Sequence, residues 1–445
     1  MFKKLLVANR GEIALRVIRA CRDMRIPSVV TYSEVDRDSL PVLLADEAVC
    51  IGPAPAQDSY LNVSRILSAA EIAGCDALHP GYGFLSESPE FAEATESCKI
   101  AFIGPAADTI RLLGDKIESR RTAFEAGVPV IPGSDDEVRD AKDSAKIARE
   151  LGYPVLIKAS AGGGGKGMRL VRREKDLDTG FRMCQAEAKA AFGSPKVYVE
   201  KYIADAHHVE IQVLADRHGT VLHLGERDCS AQRRHQKVLE ESPSLLVDGP
   251  LRRKLGSWAI AAARAAGYLG AGTVEFVLDK DGNCYFMEMN ARLQVEHPVT
   301  EMVTGVDIVR EQIRIADGEK LEFPVDVAEP RGHAIECRIC AEDPDADFEP
   351  SPGLVTELRL PDGPGIRVDS YLLPGYRIPH HYDPLVAKVI AWGADRDQAI
   401  ARMERAMAET EIAGISTTVG FHRRLLKSSR FLRGKVTTGM LDEER

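Results

Sequence analysis

The sequence predicts a multidomain protein with an α/β unit at its start and an α+β unit at its end. Over the first ~100 residues, short apolar strands alternate with amphipathic helices, which is typical of a parallel sheet covered by helices. From about residue 331 the chain is rich in strand patterns. Between these units, Asp281-Gly282 separates two alternating apolar runs and predicts a hairpin. A length of 445 residues accommodates two to four domains.

Composition excludes several classes of protein. Hydrophobic residues make up 44% of the chain and charged residues 28%, which is typical of folded globular proteins. The net charge of −10 argues against general nucleic-acid binding. The sequence contains neither a membrane-length apolar run nor a secretory signal. Nine scattered cysteines predict free thiols in the reducing cytoplasm, and Cys337 and Cys340 are interpreted as buried thiols rather than zinc ligands.

The N-terminal unit is predicted to be Rossmann-like. Its predicted strands are Lys4–Ala8, Ser28–Tyr32, Ala77–His79 and Ile100–Ile103, and its predicted helices are Glu12–Met24 and Ser64–Ala73. The first turn lacks the G-x-G-x-x-G pattern, which argues against a dinucleotide site. The loop His79–Phe84 follows a strand, where parallel sheets bind ligands, but its spacing alone favours an ordinary turn.

A glycine-rich segment follows the predicted helix Ala141–Leu151. It lies between two predicted strands, Tyr153–Lys158 and Met168–Val171, and has Ser160 where a P-loop needs its first glycine. Successive glycines at Gly162–Gly165 can still bring backbone amides onto phosphate oxygens. The alternative is a flexible hairpin tip. The flanking Lys158 and Lys166 favour phosphate contact.

The predicted hairpin places two carboxylates together. If Asp281-Gly282 is a two-residue turn, Glu275 lies opposite Glu288, and Asn290 lies on the same face. Opposed carboxylates repel each other unless a cation joins them, and oxygen ligands suit Mg²⁺ or Mn²⁺. The alternative is that both glutamates point apart into solvent. The apolar residues are predicted on the other face, namely Val274, Phe276, Leu278, Tyr285, Met287 and Met289.

Further polar residues follow the same alternation. Arg292, Gln294 and Glu296 continue the even-numbered face, where a guanidinium and an amide suit a small planar oxyanion and Glu296 can act as a base. The alternative is a polar loop. A second polar strand face consists of His208, Glu210 and Gln212. The basic run Gln232–Lys237 suggests a local anion site, although such runs are more often solvated loops.

The C-terminal part is interpreted as a separate α+β unit. Its predicted strands are His333–Cys340, Leu354–Leu360, Ile366–Val368 and Val386–Trp392, followed by a helix at Asp397–Thr410.

Several long motifs together resemble the biotin carboxylase family, the ATP-grasp component of biotin-dependent carboxylases. These motifs are HPGYGFLSE (79–87), KASAGGGGKGM (158–168), RDCSAQRRHQK (227–237), EMNARLQVEHPVTE (288–301) and RGHAIECRICAED (331–343). The resemblance covers nearly the whole chain. It implies a Rossmann-like domain at 1–114, an ATP-grasp domain at 115–330 with a mobile glycine-rich lid at about 131–203, and a C-terminal domain at 331–445.

The resemblance also implies site residues. Those implied for ATP are Lys116, Lys158, Gly162, Gly163, Gly164, Gly165, Met168, Glu200, Lys201, Ile203, His208, Gln232, His235, Glu275 and Glu288. A pair of Mg²⁺ or Mn²⁺ ions is implied at Glu275, Glu288 and Asn290. Those implied for bicarbonate are Lys237, Arg292, Gln294 and Val295. Glu296 is implied as the base, Arg338 as the group that stabilises the biotin enolate, and Tyr82 as a neighbour of biotin.

The implied activity is ATP- and bicarbonate-dependent carboxylation of biotin through carboxyphosphate. The sequence contains no Met-Lys dipeptide, hence no biotin attachment motif, so biotin is expected on a separate carrier protein. A carboxyltransferase partner and a homodimer are implied as well. The final acyl acceptor stays open between acetyl-CoA, pyruvate and others. The alternatives are another ATP-grasp ligase whose acyl phosphate is attacked by an amine, a nucleotide-dependent dehydrogenase, and a non-catalytic ATP-binding scaffold.

Overall fold

The computed structural model describes residues 1–161, 167–323 and 328–443. Its N-terminal sheet has five parallel strands in the order β3-β2-β1-β4-β5. These strands are β1 Leu5–Val7, β2 Ser28–Ser33, β3 Glu47–Gly52, β4 Ala77–His79 and β5 Ala101–Phe102. The first six helices are α1 Gly11–Asp23, α2 Leu40–Leu44, α3 Val63–Ile72, α4 Pro89–Ser97, α5 Ala107–Gly114 and α6 Lys116–Glu125.

Apolar packing covers both faces of this N-terminal sheet. Leu5 and Val7 belong to one buried core and Leu6 to another, as expected for a parallel strand covered on both sides. The predicted Rossmann-like unit is therefore confirmed.

A second, smaller sheet is antiparallel and has its own core. Its strands are β6 Val155–Ala159, β7 Met168–Val171 and β8 Val197–Lys201, and the helices that pack against it are α7 Ala141–Leu151 and α8 Leu177–Phe192. The predicted glycines Gly162–Gly165 lie outside the described residues.

The third sheet has eight strands in the order β13-β12-β9-β10-β11-β14-β21-β19. The remaining strands of the chain are β9 His207–Ala215, β10 Val221–Arg233, β11 Gln236–Ser242, β12 Gly270–Leu278, β13 Cys284–Asn290, β14 His333–Cys340, β15 Glu342–Asp343, β16 Glu349–Pro350, β17 Gly353–Leu354, β18 Glu357–Arg359, β19 Ile366–Ser370, β20 Arg377–Ile378, β21 Leu385–Gly393 and β22 Glu411–Ala413. The remaining helices are α9 Gly249–Ala265, α10 His297–Thr304, α11 Ile308–Ala316, α12 Arg396–Glu409, α13 Val419–Leu425, α14 Ser429–Leu432 and α15 Met440–Glu443.

The eight-stranded sheet runs across the predicted boundary at residue 330. Strand β11 pairs with β14 in antiparallel register, with Leu239 opposite Cys337 and Glu240 opposite Glu336. The C-terminal part therefore shares a backbone hydrogen-bond ladder with the middle of the chain. In the part of the chain that the structure describes, no helix has the length and apolar character needed to cross a bilayer.

The β12–β13 hairpin pairs Glu275 with Glu288 as predicted, but by a different route. The turn is a three-residue loop at 280–282, closed by a hydrogen bond of 2.9 Å from the Asp279 amide to the Asn283 carbonyl. Gly282, at φ +82°, supplies the left-handed residue that such loops need. A bulge then shifts the register back by one residue before Glu288. The two-residue turn was therefore wrong, and the bulge cancelled its error.

The same bulge changes which residues of β13 enter the core. Cys284, Phe286 and Met289 are buried there, whereas Tyr285 and Met287 are only half-buried. The predicted apolar face of β13 was therefore wrong for Tyr285 and Met287, because strict alternation does not survive an inserted residue.

Candidate active site

Four charged residues stand in a row across the eight-stranded sheet. Glu288 lies opposite Glu275, Glu275 opposite Glu210, and Glu210 opposite Arg227, on four adjacent strands. Three neighbouring carboxylates repel each other strongly in a buried sheet. The three carboxylates are therefore stable only beside cations, which come both from Arg227 within the row and from residues outside it.

Lys237 on β11 supplies one of these cations. Its ammonium donates to three carboxylates, at 2.5 Å to Glu210, 2.7 Å to Glu296 and 3.1 Å to Glu275. Burial lowers the pKa of Lys237, but the three carboxylates raise it well above its ordinary value. This lysine therefore stays charged and joins the carboxylate row to Glu296.

Arg227 on β10 supplies the second cation and is fully buried. It donates to Glu210 at 2.5 Å and also binds Gln212, Thr273 and Thr300. Burial raises the pKa of Glu210, but Lys237 and Arg227 bring it well below its ordinary value. Neither Glu210 nor Arg227 was among the predicted site residues, although Glu210 alternates with the predicted His208 and Arg227 begins a family motif.

The side of the site that is predicted to bind ATP includes residues of the smaller sheet. Lys116, which begins α6, forms a short ion pair with Glu288. Burial raises the pKa of Glu288, but the Lys116 charge lowers it to about 2. Lys158 on β6 pairs with the buried Glu200 on β8 at 2.8 Å. The structure thus directs lysines from both α6 and the small sheet towards this region.

The structure brings some of the other predicted ATP residues into the site and places others away from it. His208 lies 3.2 Å from Glu275 and 3.0 Å from Gln232, which brings both predicted residues into the site. His235 is exposed in the two-residue turn between β10 and β11, at φ +64°. Lys201 donates to the Gly152 carbonyl at 2.7 Å, and Met168 and Ile203 are half-buried.

Arg292 lies in the segment after β13 and is held by hydrogen bonds to residues from three parts of the chain. Its guanidinium donates to Glu87 at 2.9 Å, to the Gln294 side chain at 3.0 Å and to Asn290 at 3.2 Å. Gln294 in turn donates to Glu275 at 3.0 Å. Glu87, which also accepts from the Ala291 amide, lies in the HPGYGFLSE motif of the N-terminal part, but it was not predicted as a site residue.

Glu296 is fully buried between two cations. One oxygen accepts from Lys237 at 2.7 Å, and the other accepts from Arg338 on β14 at 2.9 Å. Arg338 also donates to Glu240 at 2.6 Å. Burial and the Glu210 charge raise the pKa of Glu296, but Lys237 and Arg338 lower it below its ordinary value. Glu296 is therefore ionised and can accept a proton.

The loop that carries Tyr82 is tied to the start of the chain. The Asn9 side chain donates to the carbonyl groups of Pro80 at 2.7 Å and Tyr82 at 2.8 Å. The Tyr82 hydroxyl is buried and finds no hydrogen-bond partner among the described residues. The Asn9 side chain therefore ties the backbone of this loop to the end of β1 at two points.

The predicted metal ligands provide a donor set that fits a hard cation. The carboxylates of Glu275 and Glu288 and the amide oxygen of Asn290 are ligands suited to Mg²⁺ or Mn²⁺, and the two carboxylates are directly opposite. Asn290 donates to Glu275 at 2.9 Å, which orients its amide within the set. Glu288 is half-buried and hence within reach of an ion.

Within the described residues, two further clusters could hold a metal ion, namely His208, Glu210 and Glu275, and Glu210, Cys229 and Glu296. The Lys237 ammonium binds all three carboxylates of these clusters, and Arg227 and Arg338 bind Glu210 and Glu296, so cations of the protein itself already offset most of their charge.

A large antiparallel sheet bearing paired carboxylates faces lysines from a smaller antiparallel sheet, and a Rossmann-like unit precedes both. This arrangement defines an ATP-grasp ligase.

Family models place the chain more narrowly. The biotin carboxylase N-terminal domain matches residues 1–110, and the biotin carboxylase C-terminal domain matches residues 336–443. The ATP binding domain of the carbamoyl-phosphate synthase L chain matches residues 115–323. Together these matches show that the chain belongs to the biotin carboxylase family.

Individual relatives agree over the full length. Biotin carboxylase 1 of Bacillus subtilis is 54% identical over 99% of this chain and 98% of its own length. A pyruvate carboxylase subunit of Methanothermobacter thermautotrophicus is 53% identical over 100% of this chain and 90% of its own length.

Solved structures agree as well. Biotin carboxylase of Campylobacter jejuni, in a β,γ-ATP complex, has a TM-score of 0.97 at 47% identity and covers 100% of this chain and 99% of its own. The biotin carboxylase domain dimer of the Hydrogenobacter thermophilus 2-oxoglutarate carboxylase, with MgADP, ADP and bicarbonate, has a TM-score of 0.97 at 49% identity, covering 100% and 98%.

Proposed function

We propose that this protein carboxylates biotin at the expense of ATP and bicarbonate, the first half-reaction of a biotin-dependent carboxylase. The observation that carries the proposal is the position of Glu296. It is an ionised base, held between Lys237 and Arg338 and close in sequence to the Arg292–Gln294 pair that suits a planar oxyanion.

We assign bicarbonate to Lys237, Arg292, Gln294 and the backbone of Val295. Their positive charge and hydrogen bonds would offset the repulsion between bicarbonate and the ATP phosphates. Glu296 takes the bicarbonate proton. A bicarbonate oxygen then bonds to the γ-phosphorus, the bond from that phosphorus to the β-phosphate oxygen breaks, and ADP leaves with carboxyphosphate formed.

The two cations bound to Glu296 would control when it can take the bicarbonate proton. With Lys237 and Arg338 both bound to it, Glu296 is a weak base, because the two cations lower its pKa. Bicarbonate would draw Lys237 towards itself, and biotin would draw Arg338. Each loss raises the basicity of Glu296, so bound bicarbonate would promote proton transfer and bound biotin would promote it further.

The second step concerns biotin. Carboxyphosphate separates into CO₂ and phosphate, and the phosphate takes the proton of the biotin ureido nitrogen. The resulting enolate, with its charge stabilised by Arg338, attacks CO₂ to give N-carboxybiotin, and Tyr82 lies beside the biotin ring. Mg²⁺ or Mn²⁺ held by Glu275, Glu288 and Asn290 would neutralise charge on the ATP phosphates.

The nucleotide is assigned to the side of the site formed by Lys116, Lys158 and Glu200, with the other ATP residues named above. The glycine loop would close over the phosphates and exclude water from the labile carboxyphosphate. The proposed domains are 1–114, 115–330, with a lid at about 131–203, and 331–445.

Biotin carboxylases act together with carrier and carboxyltransferase partners. We infer that this chain receives biotin on a separate carrier protein, passes the carboxyl group to a carboxyltransferase partner and forms a homodimer. Nine free cysteines agree with a reaction in the reducing cytoplasm.

Phosphate release from ATP by the purified chain, with Mg²⁺, tests the proposal directly. We expect release to require bicarbonate and to rise when free biotin is added. Turnover that ignores both additions in bicarbonate-depleted buffer would overturn it and direct the search to ATP-grasp ligases with amine substrates.

A further inference from the structure

A fully buried lysine lies behind Arg292–Val295, the segment assigned to bicarbonate and called the bicarbonate segment below. Lys388, on β21, is fully buried. Its ammonium donates to the Val295 carbonyl at 2.8 Å and lies 3.2 Å from Glu12 on α1. It also lies 5.8 Å from the centre of the Tyr82 ring. One ammonium thus connects the C-terminal part, the bicarbonate segment and the N-terminal part.

The pairing of Lys388 with Glu12 does not by itself explain a buried lysine. Neither Glu12 oxygen has the geometry of a hydrogen bond to any described residue, although the charges are in contact. Burial raises the pKa of Glu12 to about 7, and the Lys388 charge only partly opposes this rise. Buried pairs of this kind are often replaced by apolar residues without loss of stability.

The Val295 carbonyl is the partner that apolar packing cannot replace. It belongs to the peptide group that joins Val295 to Glu296, directly before the start of α10. A donor on this carbonyl fixes the plane of that peptide group. It therefore fixes the direction in which the Glu296 side chain leaves the backbone. Through the Val295 Cα it also restrains the preceding peptide group, whose N–H is the Val295 donor available to bicarbonate.

We propose that Lys388 is a positioning residue for bicarbonate and for Glu296, acting through its hydrogen bond to the Val295 carbonyl; this inference rests on the function proposed above. Lys388 itself touches no reacting atom. Without its hydrogen bond, the segment after Arg292 can shift relative to Lys237, while the pair of Lys158 and Glu200 on the nucleotide side stays in place.

The decisive comparison is between Lys388→Met and the double variant Glu12→Gln/Lys388→Met. The single variant leaves Glu12 buried without its counter-ion, so some loss of thermal stability is expected. The double variant removes both charges and is expected to melt near the wild-type temperature. In both variants we expect KM for bicarbonate to rise roughly tenfold or more, since a displacement of about 1 Å near a reacting centre can cost on the order of 100-fold. KM for ATP should stay unchanged.

Two controls separate positioning from general damage. Glu12→Gln alone keeps the hydrogen bond to Val295 and should keep the wild-type KM for bicarbonate. Arg252→Met/Glu226→Gln removes a buried ion pair that joins α9 to β10 and should also leave that KM unchanged.

The proposal is overturned if the double variant folds and its KM for bicarbonate stays within about twofold of wild type, a difference below 1 kcal/mol. It is also overturned if the double variant does not fold at all, because Lys388 is then needed for the fold itself. A wild-type enzyme that releases phosphate without bicarbonate would instead overturn the proposed function, so the two failures are distinguishable.

Discussion

Lys237 and Lys388 lie in the same sheet, yet their burial and their surroundings differ. Lys237 binds three carboxylates, and its side chain remains 13% exposed towards the site. Lys388 is fully enclosed and has one carboxylate and one carbonyl within 3.2 Å. A lysine with surplus anionic partners can exchange one of them for a substrate. A lysine whose few partners are all needed to stabilise its buried charge cannot exchange one of them, so its role is to fix the position of the groups that it binds.

The largest effect is expected for Lys237→Met. Three carboxylates would then converge without their shared cation, and removal of one partner from a buried charge group costs about 3–5 kcal/mol. Bicarbonate-dependent phosphate release should be lost as well. Thermal melting and the phosphate assay measure these effects. The comparison fails if Lys388→Met destabilises the protein more than Lys237→Met does.

The second-largest effect is expected for Glu296→Gln, which should lower kcat with little change in stability. Glu296→Gln keeps the size of the side chain and leaves Lys237 with Glu210 and Glu275, so the fold should survive. Loss of the base should lower kcat by roughly 10²–10⁴-fold. A variant that retains near wild-type kcat would mean that another group takes the bicarbonate proton.

The position of Glu296 shows how far the sequence could predict this site. Alternation along the two strands of one hairpin, continued past Asn290, was enough to bring Glu275, Asn290, Gln294 and Glu296 into one region. It did not identify Glu210 and Arg227 as members, because their roles depend on which strand lies beside which. The order β12-β9-β10 is set by contacts between distant segments.

The fold was likewise predictable in part from the sequence. The parallel N-terminal sheet was predictable from its alternation of strands and helices. The bulge in β13 was not, since an inserted residue leaves no mark in a run such as Phe286-Met287-Glu288. Its consequence was favourable, because the bulge restored the pairing of Glu275 with Glu288.

A smaller effect is expected for Glu336→Gln, beside Lys388. Glu336 is fully buried, lies opposite Glu240, and has no hydrogen bond to its carboxyl oxygens within the described chain. Burial raises its pKa well above the ordinary 4.5, with a further rise from Glu240 that Lys388 opposes. Above about pH 4.5 the unfolded chain releases this proton while the folded chain keeps it, so the carboxyl destabilises the fold increasingly as pH rises.

Glutamine does not titrate, so the melting temperature of Glu336→Gln minus that of wild type should increase between pH 5 and pH 8. A difference that is constant or falls with pH would show that Glu336 is ionised in the folded protein, and that Lys388 has a second carboxylate partner after all.

The smallest effect is expected for Cys229→Ala, next to Lys237. The thiol lies 3.8 Å from Glu296, but burial raises its pKa well above the ordinary value, so it stays protonated and is a poor nucleophile and a poor metal ligand. Bicarbonate-dependent turnover should be unchanged. A marked loss would mean that the cluster of Glu210, Cys229 and Glu296 has a chemical role beyond the one assigned to its carboxylates.

The ladder between β11 and β14 has a practical consequence for anyone who divides this chain. A cut between α11 and β14 would leave each fragment with an unpaired strand edge that matches the other. Catalysis would depend on reunion of the fragments, because Arg338 lies on one side of the cut and Glu296 on the other. The enzyme is therefore suited to a split reporter, in which restored turnover signals that two fused partners have met.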